Sequence, residues 1–296
     1  MPAEAVLALG LIESRHLDAL LAQGRPSLDA CARILGWPAG MPRGDAVIGR
    51  IHLGSEFCET LIPAPPQLRH ARDLCEREGL GLAVTASTLS DRGISALSPL
   101  LDLLPAGAEL VVNDWGSARL ARRERPDLGL SAGRLLCKMI KDPRLPSEEW
   151  GRLYPHGINS GSFAGVLEHL GIGRIEMDAP PFARPADFRA GSLRVGVHAG
   201  AGFSVKGRAC RTGSLGQAPE DKFTSGQSCR RECLAYVDSL ARPAAGSDEL
   251  HAFQRGNTLF YAHSPAMTAA VGEAVDEGWV DRLILMGDWN ENRRSH

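Results

Sequence analysis

Three of the seven cysteines in this chain of 296 residues, Cys210, Cys229 and Cys233, fall in one C-x18-C-x3-C run. Thiolates are soft ligands that select zinc, copper(I) or iron–sulfur centres. Residues four apart share one face of a helix, so a helix through 229–233 turns both of its thiols toward one object. The stretch between Cys210 and Cys229 contains Gly213, Gly216, Pro219 and Gly226, which lets Cys210 fold back onto the pair. Structural zinc and cubane clusters usually take four protein ligands. The candidate fourth is Cys58, at the end of Gly54-Ser55-Glu56-Phe57-Cys58 and just beyond an apolar stretch. Ligand count does not separate zinc from a cluster, although the paired C-x2-C knuckles usual for structural zinc are absent. Cys31, Cys75 and Cys137 read as ordinary thiols, and buried free cysteine as a small hydrophobe is the plain alternative for all seven.

Bringing Cys58 beside the others requires a particular arrangement of elements. Residues 1–45 read as an N-terminal helical extension, with Leu11, Leu17, Leu20 and Leu21 on a helical period. Over 46–296, short apolar stretches at 46–53, 80–85, 109–114, 128–137, 174–178, 193–198, 258–261 and 282–286 read as strands. They alternate with helical segments at 67–78, 117–124, 162–170 and 265–278. The expectation is an α/β fold, a (β/α)8 TIM-like barrel, irregular between its fifth and seventh strands. Loops that follow strands gather at one mouth of such a barrel, which would place Cys58 beside the three cysteines that follow the sixth strand. Polar residues at strand ends, Asn113, Asp114, Arg134, Glu176, Asp178, His198 and Asn257, would face the same mouth and orient a small polar or carboxylate-bearing ligand. Two have plainer readings: Asp114 as a helix cap, and His198 as a satisfied histidine, because no companion nucleophile can be named. Arg208, Arg211, Arg230 and Arg231 flank the cysteines, as inward charges or as a solvated rim. No catalytic residue is assigned.

Thirty-three Lys and Arg against thirty-five Asp and Glu give a net charge of −2, which argues against a protein held mainly by phosphate backbones. The basic stretch Arg119, Arg122, Arg123 and Arg125 is diluted by Glu124 and Asp127 and reads as a solvated face. The apolar run at 5–12 is too short to span a bilayer and has no basic segment before it, so a cytoplasmic protein without a membrane span is expected. The H-E-x-x-H, G-x-S-x-G and G-x4-G-K-[ST] motifs are absent, and after Gly200-Ala201-Gly202 the next glycine, Gly207, breaks the dinucleotide fingerprint.

The order Gly54-Ser55-Glu56-Phe57-Cys58, Asn113-Asp114-Trp115-Gly116, Gly133-Arg134-Leu135-Leu136, Cys210 with Cys229-x3-Cys233, then Gly256-Asn257-Thr258 resembles the collagenase-like peptidase (U32) family that includes UbiU and UbiV. The resemblance runs over about 46–287 and is greatest to the UbiV type, whose C-x16-C-x3-C spacing is two residues shorter than the one here. It implies a barrel-like fold and a 4Fe-4S cluster on Cys58, Cys210, Cys229 and Cys233, with zinc as the alternative metal. It further implies a heterodimer with a UbiU-like partner and oxygen-independent hydroxylation of the kind used in ubiquinone biosynthesis. Related members hydroxylate RNA bases, which makes an RNA-base hydroxylase the alternative within the family. A non-catalytic, zinc-stabilised binding module is the alternative outside it. Protease activity has little chemical support in these residues.

Overall fold

The computed structural model describes residues 5–37, 41–137, 147–152, 157–207, 209–222, 229–240 and 251–287. The strands in chain order are β1 (Val6–Leu11), β2 (Arg50–Gly54), β3 (Gly81–Thr85), β4 (Glu109–Val112), β5 (Gly129–Ala132), β6 (Ile172–Asp178), β7 (Arg194–Ala199), β8 (Ala201–Lys206), β9 (Asp238–Leu240), β10 (Ala252–Arg255), β11 (Thr258–Ala262) and β12 (Arg282–Met286). The α-helices are α1 (Leu17–Leu21), α2 (Leu28–Leu35), α3 (Pro65–Arg77), α4 (Asp91–Leu101), α5 (Trp115–Glu124), α6 (Glu148–Arg152), α7 (Gly161–His169) and α8 (Pro265–Asp276).

Strands β1 to β7 and β12 form a closed, all-parallel barrel in which each strand neighbours the next in sequence and β12 returns to β1. The chain is thus a (β/α)8 TIM-like barrel. Residues of the βα loops end in side chains that take up free N–H groups of the following helix: Ser90 for α4, Asp114 for α5 and Ser264 for α8.

Two strand assignments differ from the sequence reading. Val6–Leu11 is not part of a helical extension but the first barrel strand, paired with Arg282–Met286 on one side and Arg50–Gly54 on the other. Its apolar run merges without a break into the leucine period of α1, which hid the change from extended to helical backbone. Conversely, Thr258–Ala262 leaves the barrel and joins an antiparallel sheet of order β8-β11-β10-β9, inserted between β7 and α8. Seven of the eight expected strands therefore belong to the barrel, and β1 supplies the eighth. The C-x3-C segment is not an α-helix either. Arg231 adopts φ 59°, and only a short 3-10 turn follows at Glu232–Leu234, so the two thiols are presented by a tight turn.

The barrel interior is unusually charged. On β2, Ile51 and Leu53 alternate with Arg50 and His52, and on β6, Ile175 and Met177 alternate with Arg174, Glu176 and Asp178. The period-two alternation sends one set to the helices and the other to the axis. At the lower end Glu109 receives two bonds from Arg282, at 2.6 and 2.9 Å, and one from the Ser131 hydroxyl at 2.6 Å. Arg174 forks onto Asp281, with Nη2 to Oδ2 at 2.8 Å. Gly196 of β7 makes room among these groups: a Cβ there would stand 2.8 Å from Ile284 Cδ1 and 3.7 Å from Glu176 Cγ. Among the described residues no helix is long and apolar enough to cross a membrane.

Candidate metal centre at the barrel mouth

The loop after β2 carries Cys58 onto the inserted sheet. The Phe57 ring lies between Phe203 of β8 and Phe260 of β11, with centroids 5.0 and 5.2 Å away in edge-on contact. Asn257, at the turn between β10 and β11, donates from Nδ2 to Phe57 O at 2.8 Å and to Gly207 O at 3.0 Å. One side-chain amide thus ties the segment before Cys58 to the segment before Cys210. The sheet is fixed to the barrel in turn by the Tyr261 hydroxyl, which donates to Ala179 O at 2.9 Å just beyond β6.

Cys58, Cys210, Cys229 and Cys233 line one cavity of about 700 Å³ at the barrel mouth. Each of the seven cysteines is a free thiol. The Thr60 hydroxyl stands 3.0 Å from Cys58 Sγ and 3.9 Å from Cys229 Sγ, bridging two of the four. Backbone N–H groups of Gly213 and Arg231 donate to Cys210 Sγ and Cys229 Sγ, each at 3.2 Å. Gly256 holds φ +59°, and a Cβ on it would lie 3.2 Å from Cys233 Cβ and 3.9 Å from Cys210 Sγ. Bare backbone is needed there because the thiols lean on it. Burial pushes the Cys233 thiol up to about 12 and raises that of Cys210 as well. Both are therefore protonated at neutral pH until a cation replaces the proton.

The donor set fits a soft metal centre. Four thiols that bind as thiolates are a soft donor set of the kind that zinc and iron–sulfur centres both take. Cys31, Cys75 and Cys137 are buried in the hydrophobic core, and burial pushes Cys31 and Cys75 up to about 12.

Of the flanking arginines, Arg211 turns to Asp238 at 3.4 Å, Arg230 is exposed, and Arg208 lies outside the described residues. The guanidinium placed at the cysteines is Arg255, whose Nε donates to Cys233 O at 3.0 Å. Arg255 lies 22 positions beyond Cys233, outside the immediate flanks of the cysteines.

The inner end of the same cavity is polar. Arg134, after β5, is 2% exposed and held by two carboxylates: Nε to Glu56 Oε2 at 2.7 Å and Nη1 to Asp178 Oδ1 at 2.6 Å. Its guanidinium also faces the Phe57 and Phe203 rings at 5.1 and 5.6 Å. His198 Nε2 lies 2.9 Å from Glu176 Oε2 and 3.7 Å from Glu56 Oε2. Burial works to raise the Glu176 carboxyl, but the His198 hydrogen bond together with His52 and His198 outweighs it and holds the group below its ordinary range. Burial pushes His52 down to about 4, with Arg282 and Arg50 adding to the effect and Glu176 opposing it.

Arg134, His198 and Asn257 therefore stand on the cavity, and Glu176 contacts His198 from within the barrel. Asn113 and Asp114 do not line it, which corrects their reading as ligand contacts. Asn113 donates to Ala86 O at 2.8 Å and accepts from Leu135 N at 3.0 Å, stitching neighbouring βα loops together. Asp114 caps α5 through Ser117 N at 2.7 Å and holds Leu89 N at 3.0 Å. Glu56 and His52 were missed as site residues. Glu56 was visible two positions before Cys58, and His52 as a polar residue between Ile51 and Leu53 on β2. Two arginines of the basic stretch are occupied internally, Arg122 donating to Leu170 O, Gly171 O and Pro126 O, and Arg125 to Leu104 O and Asp127, while Arg119 and Arg123 are exposed.

No family model matches the chain, and no curated protein matches it. Among solved structures it is similar to a U32 peptidase, at 11% identity over 98% of this chain and 94% of that one, with a TM-score of 0.42. It is also similar to a glycoside hydrolase family 18 N-acetylglucosaminidase from Paenibacillus barengoltzii, at 10% identity over 98% and 97% of the two chains and a TM-score of 0.40. A third is the spore cortex-lytic enzyme SleL from Bacillus cereus, at 8% identity over 99% and 72% and a TM-score of 0.43. Similarity at this level transfers no activity from those proteins to this chain.

Proposed function

We propose that the chain is an iron–sulfur protein that carries a 4Fe-4S cluster on Cys58, Cys210, Cys229 and Cys233. In this reading it serves oxygen-independent hydroxylation together with a UbiU-like partner, as in ubiquinone biosynthesis. The observation that carries the proposal is the convergence of four free thiols from separate segments on one cavity, with backbone N–H groups already directed at two of the sulfurs. Such N–H···S bonds are among the features that set a cluster's potential. When bound, the cluster supplies one-electron transfer. With four protein thiolates it has no open iron, so binding and orienting a substrate fall to the chain's own groups. Arg134 and His198 stand at the inner end of the cavity, where the Arg134 guanidinium faces Phe57 of the loop after β2 and Phe203 of the inserted sheet.

Anaerobic purification from the native host, with iron, sulfide and zinc measured on the same sample, tests the reading. About four irons with matching sulfide and a brown colour support it. A colourless protein with one zinc per chain overturns it in favour of a zinc-stabilised module.

A further inference from the structure

A second cluster of donors lies deeper in the barrel and shares no residue with the thiol site. One donor atom each from Glu56, Glu176 and His198 lies within 4.8 Å of the other two. Glu56 and Glu176 are 4% and 0% exposed, and His198 reaches the cavity with its side chain 12% exposed. These groups come from the loop after β2 and from the upper ends of β6 and β7, so rigid elements set their positions.

Two further observations indicate that a ligand is needed here. Glu176 Oε1 is fully buried and has no hydrogen-bond partner. The ring facing it, His52, is itself 3% exposed, has Nδ1 3.5 Å from that oxygen, and has an unpartnered Nε2. Buried polar atoms are left unsatisfied rarely, and an ion or water is the usual explanation. The local charge points to a cation. Glu56, Glu176, Asp178 and the neighbouring Glu109 stand against Arg134, Arg50 and Arg282, which is +3 − 4 = −1 before imidazoles are counted. Arg282 and Arg50 lie below and are drawn to Glu109. Glu56 can keep its bonds to Arg134 and still offer a lone pair, because a carboxylate has about four acceptor sites.

We propose that Glu56, Glu176 and His198 form a binding site for one divalent first-row cation, Mn²⁺ or Fe²⁺, at the inner end of the cavity that the four thiols line at its mouth. Two carboxylates and an imidazole are a hard-to-borderline donor set, chemically distinct from four soft thiolates. The ion would sit against the Glu176 carboxylate, whose Oε2 faces His198 and whose unpartnered Oε1 faces His52, and would offset the excess negative charge. The site does not depend on what the thiols bind.

Mn²⁺ titration of the full chain, followed by loss of the free-ion paramagnetic resonance signal, provides the test. The expected result is one Mn²⁺ per chain, weakened at least tenfold by Glu176→Gln and by His198→Gln. Cys58→Ala should leave Mn²⁺ binding unchanged, while Glu176→Gln leaves the thiol-site metal content unchanged. His198→Gln, at the more exposed ligand, keeps the test open if Glu176→Gln fails to fold by circular dichroism. Three results would overturn the proposal: no Mn²⁺ uptake by the folded protein, uptake indifferent to both substitutions, or uptake lost with Cys58→Ala.

Discussion

Arg134 grips Glu56 through two separate groups, its backbone N–H at 3.0 Å from Oε1 and its guanidinium Nε at 2.7 Å from Oε2. The pair closes a contact between the loops after β2 and β5, on opposite sides of the barrel mouth, and the same guanidinium reaches Asp178 on β6. Buried pairs of this kind contribute little relative to an apolar replacement of both partners, but removing one partner strands the other. Arg134→Met leaves Glu56 and Asp178 without their shared counter-charge and is expected to destabilise the protein by about 3–5 kcal/mol. Urea unfolding measures this. Arg134→Lys should recover only part of the loss, because an ammonium lacks the planar fork.

The thiol assignment makes a paired prediction. Cys58→Ala should abolish the visible absorbance of anaerobically purified protein and lower its iron content. Cys75→Ala, which truncates a buried core thiol on α3, should leave both unchanged while lowering the melting temperature slightly. The reverse pattern would overturn the ligand set.

Gly256 should matter twice over. Alanine there is forced into the left-handed region, at about 1–2 kcal/mol, and its Cβ presses on Cys233 at 3.2 Å. Gly256→Ala is expected to reduce iron retention during gel filtration more than it reduces thermal stability. An unchanged iron content would show that the turn at Gly256 does not shape the thiol site.

Acid sensitivity should begin well above the carboxylate range. Burial lowers both His52 and His263 to about 4, against 6.5 in the unfolded chain. Between those values the unfolded chain binds protons that the folded one refuses, so unfolding takes up protons and stability falls as pH drops. Their effect is absent above pH 6.5 and approaches about 3 kcal/mol per ring near pH 4. Denaturant midpoints at pH 7 and pH 5 should differ accordingly. Replacing both rings with glutamine should flatten the difference.

Asp114 provides the control for a purely architectural residue. Asp114→Ala removes the cap of α5 and the acceptor for Leu89 N, an expected cost of about 1–2 kcal/mol. Iron content and Mn²⁺ uptake should both be unaffected. A loss of either would return Asp114 to the candidate ligands.

How much of this could be read from the sequence depended on what each segment resembles locally. Strands such as Gly81–Thr85 and Glu109–Val112 stand out as short apolar runs between helices, as befits parallel strands covered on the outside. Val6–Leu11 did not stand out, because its apolar residues continue into the leucines of α1. Thr258–Ala262 was legible as a strand, but whether a strand lies in the barrel or in an inserted sheet depends on its partners, here the antiparallel strands at Ala201–Lys206 and Ala252–Arg255. The cysteines were conspicuous because thiols are scarce and their spacing is short. The Glu56–Arg134–Asp178 contact was not, since its members are 78 and 44 positions apart and nothing local pairs them, although Arg134 and Asp178 stood out as polar residues at strand ends. Asn257 was named for its place at a strand end. Its two bonds to Phe57 and Gly207 became visible only when the inserted sheet was laid on the barrel.

The seam between β1 and β12 has a consequence for biosynthesis. Val6 pairs with Arg282, 282 − 6 = 276 positions later in the chain. At about 5–20 residues per second, ribosomes make those two partners roughly 14 to 55 s apart. All four candidate thiols are synthesised within that interval, before the strand that seals the cylinder exists. Nascent β1 must therefore wait with one hydrogen-bonding edge unsatisfied, a liability for aggregation. The four thiols are likewise made on an open sheet, before the barrel mouth that gathers them has closed.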